Sequence, residues 1–186
     1  MMKYYLSLIL LLCSIPISAE VRLRPADWAT PIIGTSLENI YQVDSGVYRS
    51  EQPNLSEFTL LTKFGLKEVL NLREFHSDDD ETENLNLQLH RIKIDTGEIS
   101  EQDILQALKI IKQRKGPILV HCWHGSDRTG AVIAAYRIVF NQWTKAKAID
   151  ELLAGGYGHH DIIYPNIVKL IKSLNIEKIR LWLGLI

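Results

Sequence analysis

The stretch that most constrains this chain is residues 117–136. A short apolar run, Pro117-Ile118-Leu119-Val120, leads into His121-Cys122-Trp123-His124-Gly125-Ser126-Asp127-Arg128-Thr129-Gly130. An apolar helical pattern, Ala131-Val132-Ile133-Ala134-Ala135-Tyr136, leads out. The pattern predicts strand, tight loop, helix. A loop that runs into a helix N-terminus turns backbone N–H groups inward, and the helix dipole favours an anion at the same point. A cysteine in that field is held as thiolate and becomes a nucleophile. An arginine at the start of the helix can grip two phosphoryl oxygens in a planar fork. Cys122 and Arg128 stand at those positions.

The rest of the chain predicts an α/β fold with a central, mainly parallel sheet flanked by helices, because strand and helix patterns alternate. Strands are expected at 47–49, 67–72 and 88–94. A helix capped by Asn54 or Ser56 should end at Gly65. Ser100, with Asp103 at the capping-box position, should start another. Helices from Thr129 to about Phe140, from Lys145 to Leu153 and over parts of 162–183 complete the set. Residues 20–46, with Pro25 and Pro31, are expected to be an extended segment that buries Trp28. The acids between Arg73 and Glu83 suggest a solvated loop and the start of a helix, with a divalent-metal site as the sharper alternative.

The N-terminus has a short basic start, an apolar stretch from Tyr4 to Cys13, and small residues up to Ala19 before Glu20. This describes a secretory signal peptide over residues 1–19 and an exported, periplasmic or secreted protein. Cleavage would leave Cys122 as the single cysteine, so no internal disulfide can form. The net charge of −1 comes without a basic block, so no nucleic-acid partner is expected. The tail over 179–186 is too short to span a bilayer, and no membrane span is expected in the mature chain.

His121, Cys122, five further residues, Arg128 and Thr129 match the H-C-x5-R-[S/T] signature, and here the chain resembles the cysteine-dependent protein tyrosine and dual-specificity phosphatases. Residues 48–53 and Asn71-Leu72-Arg73 resemble segments of small bacterial members. The resemblance implies a protein tyrosine phosphatase-like catalytic domain over 47–186 that hydrolyses a phosphomonoester. Cys122 would form a thiophosphate intermediate, with Arg128 and the N–H groups of residues 123–128 holding the phosphoryl oxygens. His121 would hydrogen-bond into the loop, and Thr129 would donate its hydroxyl to the sulfur as it leaves. The family's general acid is an aspartate on a loop upstream of the cysteine. Asp95 lies 27 positions before Cys122, just after a strand, where an α/β sheet presents its site residues. The plainer reading is a turn aspartate ahead of Thr96-Gly97; Glu98 and Asp103 are the substitutes.

Trp123, His124, Ser126 and Asp127 should shape the rim around Gly125. No metal or other cofactor is called for, since the loop itself neutralises the phosphate. The substrate would be a phosphorylated protein or a small phosphoester. An inositol-phosphate phosphatase and an RNA 5′-triphosphatase-like enzyme are alternatives within the superfamily. An inactive phosphate-binding module is the alternative from another class; it would predict loss of Cys122, Arg128 or Asp95, and all three are present. The remaining cluster, Gly155-Gly156-Tyr157-Gly158-His159-His160-Asp161, reads as a helix-ending turn with Asp161 as a cap, or less simply as a metal site.

Overall fold

The computed structural model describes residues 23–186, so the signal peptide expected over 1–19 lies outside the described residues. Six strands form one sheet: β1 (Thr30–Pro31), β2 (Tyr41–Asp44), β3 (Val47–Ser50), β4 (Glu68–Arg73), β5 (Gln88–Ile94) and β6 (Ile118–His121). Their order is β1-β2-β3-β6-β4-β5. The last four strands run parallel, and β1 and β2 add an antiparallel edge. The sheet is therefore mixed, with a parallel body as expected. The segment expected only to be extended supplies β1 and β2, and Trp28 is buried beside them. A tight turn at Gly46, with φ of +110°, joins β2 to β3 as a hairpin.

Six helices cover the sheet: α1 (Leu55–Lys63), α2 (Glu101–Gln113), α3 (Asp127–Val139), α4 (Lys145–Ala154), α5 (Pro165–Ser173) and α6 (Ile176–Trp182). Asn54 with Glu57, and Ser100 with Asp103, form complete capping boxes at α1 and α2. Strand alternation splits the core. Ile118 and Val120 of β6 pack with α2, α3 and α4, while Leu119 packs with Phe58 and Leu61 of α1 on the other face. Every residue of α3 except Arg128 is buried, which accounts for its all-round apolar sequence. Among the described residues no helix is long and apolar enough to cross a membrane.

Two local expectations need correction. Residues 74–85 form bends and turns, with no helix, and the acid run is not uniformly solvated, because Asp78 is only 4% exposed. Asp161 caps nothing: it is exposed, and α5 begins later, behind Tyr164.

Candidate active site

The register of the sheet places the site. His121, the last residue of β6, is paired with Ser50 on one side and Asn71 on the other. The loop that follows thus leaves the middle of the sheet at the C-terminal ends of its parallel strands, where such sheets present ligands.

The loop is held by its carbonyls. Cys122 O meets His121 Nδ1 at 3.2 Å. Trp123 O accepts from the Gln52 backbone N–H at 2.9 Å. His124 O accepts from Asn39 Nδ2 at 2.7 Å, and Gly125 O accepts from Arg49 Nη2 at 2.6 Å. Four successive carbonyls are therefore bound from outside the loop. Among the described residues, the N–H groups of residues 123–126 have no protein acceptor. An alternation of this kind leaves the donors free to converge on an anion. Gly125 adopts φ of +71°, and a Cβ there would lie 2.5 Å from the backbone C and O of Ser50. Only glycine lets the loop press against β3 this closely.

Cys122 is a free thiol, 2% exposed, at the start of this loop. Its neighbour His121 is fully buried, edge-on to Phe58, with Nε2 3.0 Å from Asp78 Oδ2. The other Asp78 oxygen accepts from Gln52 Nε2 at 2.8 Å, and Gln52 Oε1 accepts from Arg73 Nη1 at 2.8 Å. Burial alone would raise the Asp78 pKa; hydrogen bonds from His121, Gln52 and Asn71 outweigh it and hold the carboxyl below its ordinary value. His76, Asp78 and Glu81 bring three candidate ligand atoms within 4.8 Å of one another. Both Asp78 oxygens are already engaged, by His121 and by Gln52, which favours a support for His121 over a metal centre.

Arg128 is half-buried and reaches across the sheet ends. Its Nη1 donates to Ile94 O at 3.2 Å and lies 3.4 Å from Leu72 O, while its Nε is buried without a partner. Asp95 directly follows the carbonyl that Arg128 touches, so the fold brings it beside the loop. Its Oδ1 accepts from the Gly97 N–H at 2.8 Å, the turn geometry that was the plainer expectation. Asn166 Nδ2 donates to Thr96 O and Gly97 O and ties this turn to α5. Asp103 is consumed by its capping box with Ser100, which removes it as a substitute acid. Thr129 is fully buried, but its hydroxyl has no partner, so the donation to the Cys122 sulfur is not made in this structure.

The rim is narrower than the sequence suggested. Trp123, 57% exposed, and His124 face outward, whereas Ser126 is buried. The Asp127 side chain points away from the rim. Its Oδ1 accepts from the His160 N–H at 2.9 Å and lies 2.8 Å from His159 Nδ1; its Oδ2 lies 2.8 Å from His160 Nδ1. The cluster at 155–161 is thus a turn clamped to the first residue of α3. Burial would raise the Asp127 pKa, but the hydrogen bonds from His159 and His160 outweigh it and bring the carboxyl down to about 2. A carboxyl with a lowered folded-state pKa adds stability above its unfolded pKa and loses it as pH falls through the folded value. Asp127→Asn is therefore expected to cost about 2 kcal/mol at neutral pH, by urea unfolding, with the difference closing between about pH 4 and 2.

Sequence spacing did not reveal Asn39, Arg49, Gln52, Asp78 or Asn166. Arg49 carries the clearest signal, a lone arginine in an otherwise half-apolar strand. It is 1% exposed and stacks 3.5 Å from the Tyr157 ring centroid.

Comparisons with known proteins agree with this geometry. The chain is similar to the dual specificity protein phosphatase TpbA of Pseudomonas aeruginosa, at 35% identity over 130 residues, covering 66% of this chain and 57% of that protein. It is 30% identical over 122 residues to the inositol diphosphatase DSP2 of Oryza sativa subsp. japonica, covering 61% of this chain and 59% of the relative. The chain thus spans a little over half the length of these curated relatives. Crystal structures of P. aeruginosa TpbA, one of them a complex with phosphotyrosine, match with TM-scores of 0.77 and identities of 27% and 25%, covering 87% of this chain and 99% of theirs. A family model described as the tyrosine phosphatase family matches residues 36–165, which take in most of the sheet and the whole loop from His121 to Gly130, and the chain belongs to that family.

Proposed function

We propose that this chain is a phosphomonoesterase of the protein-tyrosine or dual-specificity type, working through Cys122. The observation that carries the reading is the loop itself: four carbonyls bound outward, free N–H groups beside a buried thiol, and Arg128 at the helix start. Cys122, as thiolate, attacks phosphorus; the S–P bond forms as the bond to the leaving oxygen breaks. Asp95 gives that oxygen its proton. Arg128 and the loop N–H groups hold the equatorial oxygens as charge shifts onto them. Asp95 then takes a proton from water, which attacks the thiophosphate, and Thr129 donates to the departing sulfur. For that last step the Thr129 hydroxyl rotates toward Cys122.

Phosphotyrosine is the leading substrate, supported by the phosphotyrosine complex of the similar TpbA. A small polyphosphorylated ester such as an inositol phosphate is the second reading, supported by the inositol diphosphatase relative. We also propose export, supported by the basic start and apolar stretch ahead of Ala19. The test is hydrolysis of phosphotyrosine peptides, phosphoserine peptides and inositol phosphates by purified protein without added metal, with vanadate as blocker. No hydrolysis of any of them would refute the reading.

The acid is tested by leaving group. Asp95→Ala is expected to slow turnover of phenyl phosphate by about 100-fold, and of p-nitrophenyl phosphate far less, because a good leaving group needs no proton. Equal losses on both substrates would remove Asp95 from the acid role.

A further inference from the structure

Arg73, the last residue of β4, is fixed beside the cradle more firmly than its place at a strand end requires. Its backbone is held twice: its N–H donates to Asn71 Oδ1 at 2.7 Å, and Arg91 reaches the Arg73 and Glu74 carbonyls. Its side chain is also held twice. Nη1 donates to Gln52 Oε1, and the guanidinium lies 4.2 Å from the centroid of the Trp123 ring. Trp123 directly follows Cys122, and Leu72, whose carbonyl Arg128 approaches, directly precedes Arg73. The cation therefore lies close enough to both the nucleophile and the phosphate-gripping arginine to feel their charges. Partial burial and then the charge of Arg128 pull its pKa down, while Asp78, Glu81 and Cys122 push it up.

This guanidinium is short of partners. Among the described residues it forms no ion pair, and the Gln52 contact is the one hydrogen bond its side chain donates. Its remaining donors form the open edge of the planar fork that binds phosphate oxygens. Of the two acids near it, Asp78 is taken up by His121 and Gln52, and Glu81 holds His76 through one oxygen at 2.8 Å while its other oxygen, among the described residues, makes no hydrogen bond, to Arg73 or to any other group. A brace for Trp123 alone would not need an unpaired cation. Two neighbouring arginines in a half-buried site repel each other, and an anion shared between them relieves the repulsion.

We propose that Arg73 forms a second anion subsite beside the phosphate cradle, which takes a second phosphoryl group carried next to the scissile one on the same small substrate. The subsite rests on the phosphatase reading for its use, but not for its existence. Spacing in the sequence hid it, because the rim residues 123–127 carry no arginine or lysine. The cation arrives instead from the end of β4, the strand paired directly with β6.

Binding to Cys122→Ser protein, measured by titration calorimetry, tests the subsite without turnover. The probes are methylphosphonate and methylenediphosphonate. The diphosphonate should bind at least about tenfold more tightly, and adding Arg73→Gln should lower that preference about tenfold, the effect of one charge-assisted hydrogen-bond pair. Arg73→Lys, which keeps the charge but loses the fork, should retain part of it. If Arg73→Gln does not fold, Arg73→Lys carries the test, with a loss of several-fold expected. No preference in the parent protein, or a preference untouched by either substitution, would overturn the proposal. Failure of wild-type protein to hydrolyse any phosphoester would refute the phosphatase reading separately, since these binding ratios do not depend on it.

Discussion

Cys122→Ser is expected to reduce phosphoester hydrolysis by at least about 10⁴-fold while leaving a folded protein that still binds phosphate analogues. The loss is so large because the reading gives the sulfur the whole of bond formation to phosphorus. A serine hydroxyl in the same place is a poor nucleophile without a base, and the neighbouring His121 is not free to serve as one: it has Nε2 on Asp78 and Nδ1 on the Cys122 carbonyl. Folding should survive, because serine is close to cysteine in volume and the four carbonyl anchors of the loop do not involve the sulfur. Steady-state kinetics paired with thermal melting checks both halves. Residual activity within about tenfold of wild type would mean that the sulfur is not the nucleophile.

Gly125→Ala should produce the second-largest loss, and through a different cause. The residue stands at φ of +71°, and its added Cβ would lie 2.5 Å from the Ser50 carbonyl and 2.6 Å from the Glu51 nitrogen. These are backbone atoms of β3 and its continuation, which cannot rotate aside. The left-handed conformation costs an L residue roughly 1–2 kcal/mol, and forced overpacking adds about 1–3 kcal/mol. A destabilisation of about 3 kcal/mol is expected in urea unfolding. Relief by moving the loop away from β3 would stretch the Arg49 contact to Gly125 O and turn the cradle N–H groups out of line. Activity should then fall by about 100-fold or more even at temperatures where the variant is folded, since donors aimed at transition-state charge lose that much when misplaced. A variant as stable and active as the parent would contradict the close packing seen between loop and strand.

The parts of this site that were legible in the sequence are those the chemistry requires to be contiguous. The nucleophile, the arginine and the loop N–H groups must lie within one turn of backbone, so residues 121–130 announced themselves. Asp95 was found by a weaker rule, the end of a strand in a parallel sheet. The supports were not legible, because each reaches the loop from a different part of the fold. Asp78 is 43 positions from His121, Asn39 is 85 from His124 and Arg49 is 76 from Gly125. A run of acids gives no hint that one of its members is buried under a histidine. Asp127 shows a related limit: its place in the loop suggested the rim, but the first turn of α3 aims its side chain at His159 and His160. Among the fold elements, β1 and β2 were missed for a simpler reason. They are two and four residues long, too short to show alternation, and exist because β3 offers them an edge.

The central claim is a covalent bond between phosphorus and the Cys122 sulfur. Rapid acid quench of wild-type protein turning over p-nitrophenyl phosphate, followed by peptide mass analysis, tests it most directly. The account predicts one phosphoryl group on the peptide containing Cys122, and none on that peptide in Cys122→Ser protein. Turnover with the phosphoryl group on a histidine, or with no labelled peptide at any quench time, would contradict it.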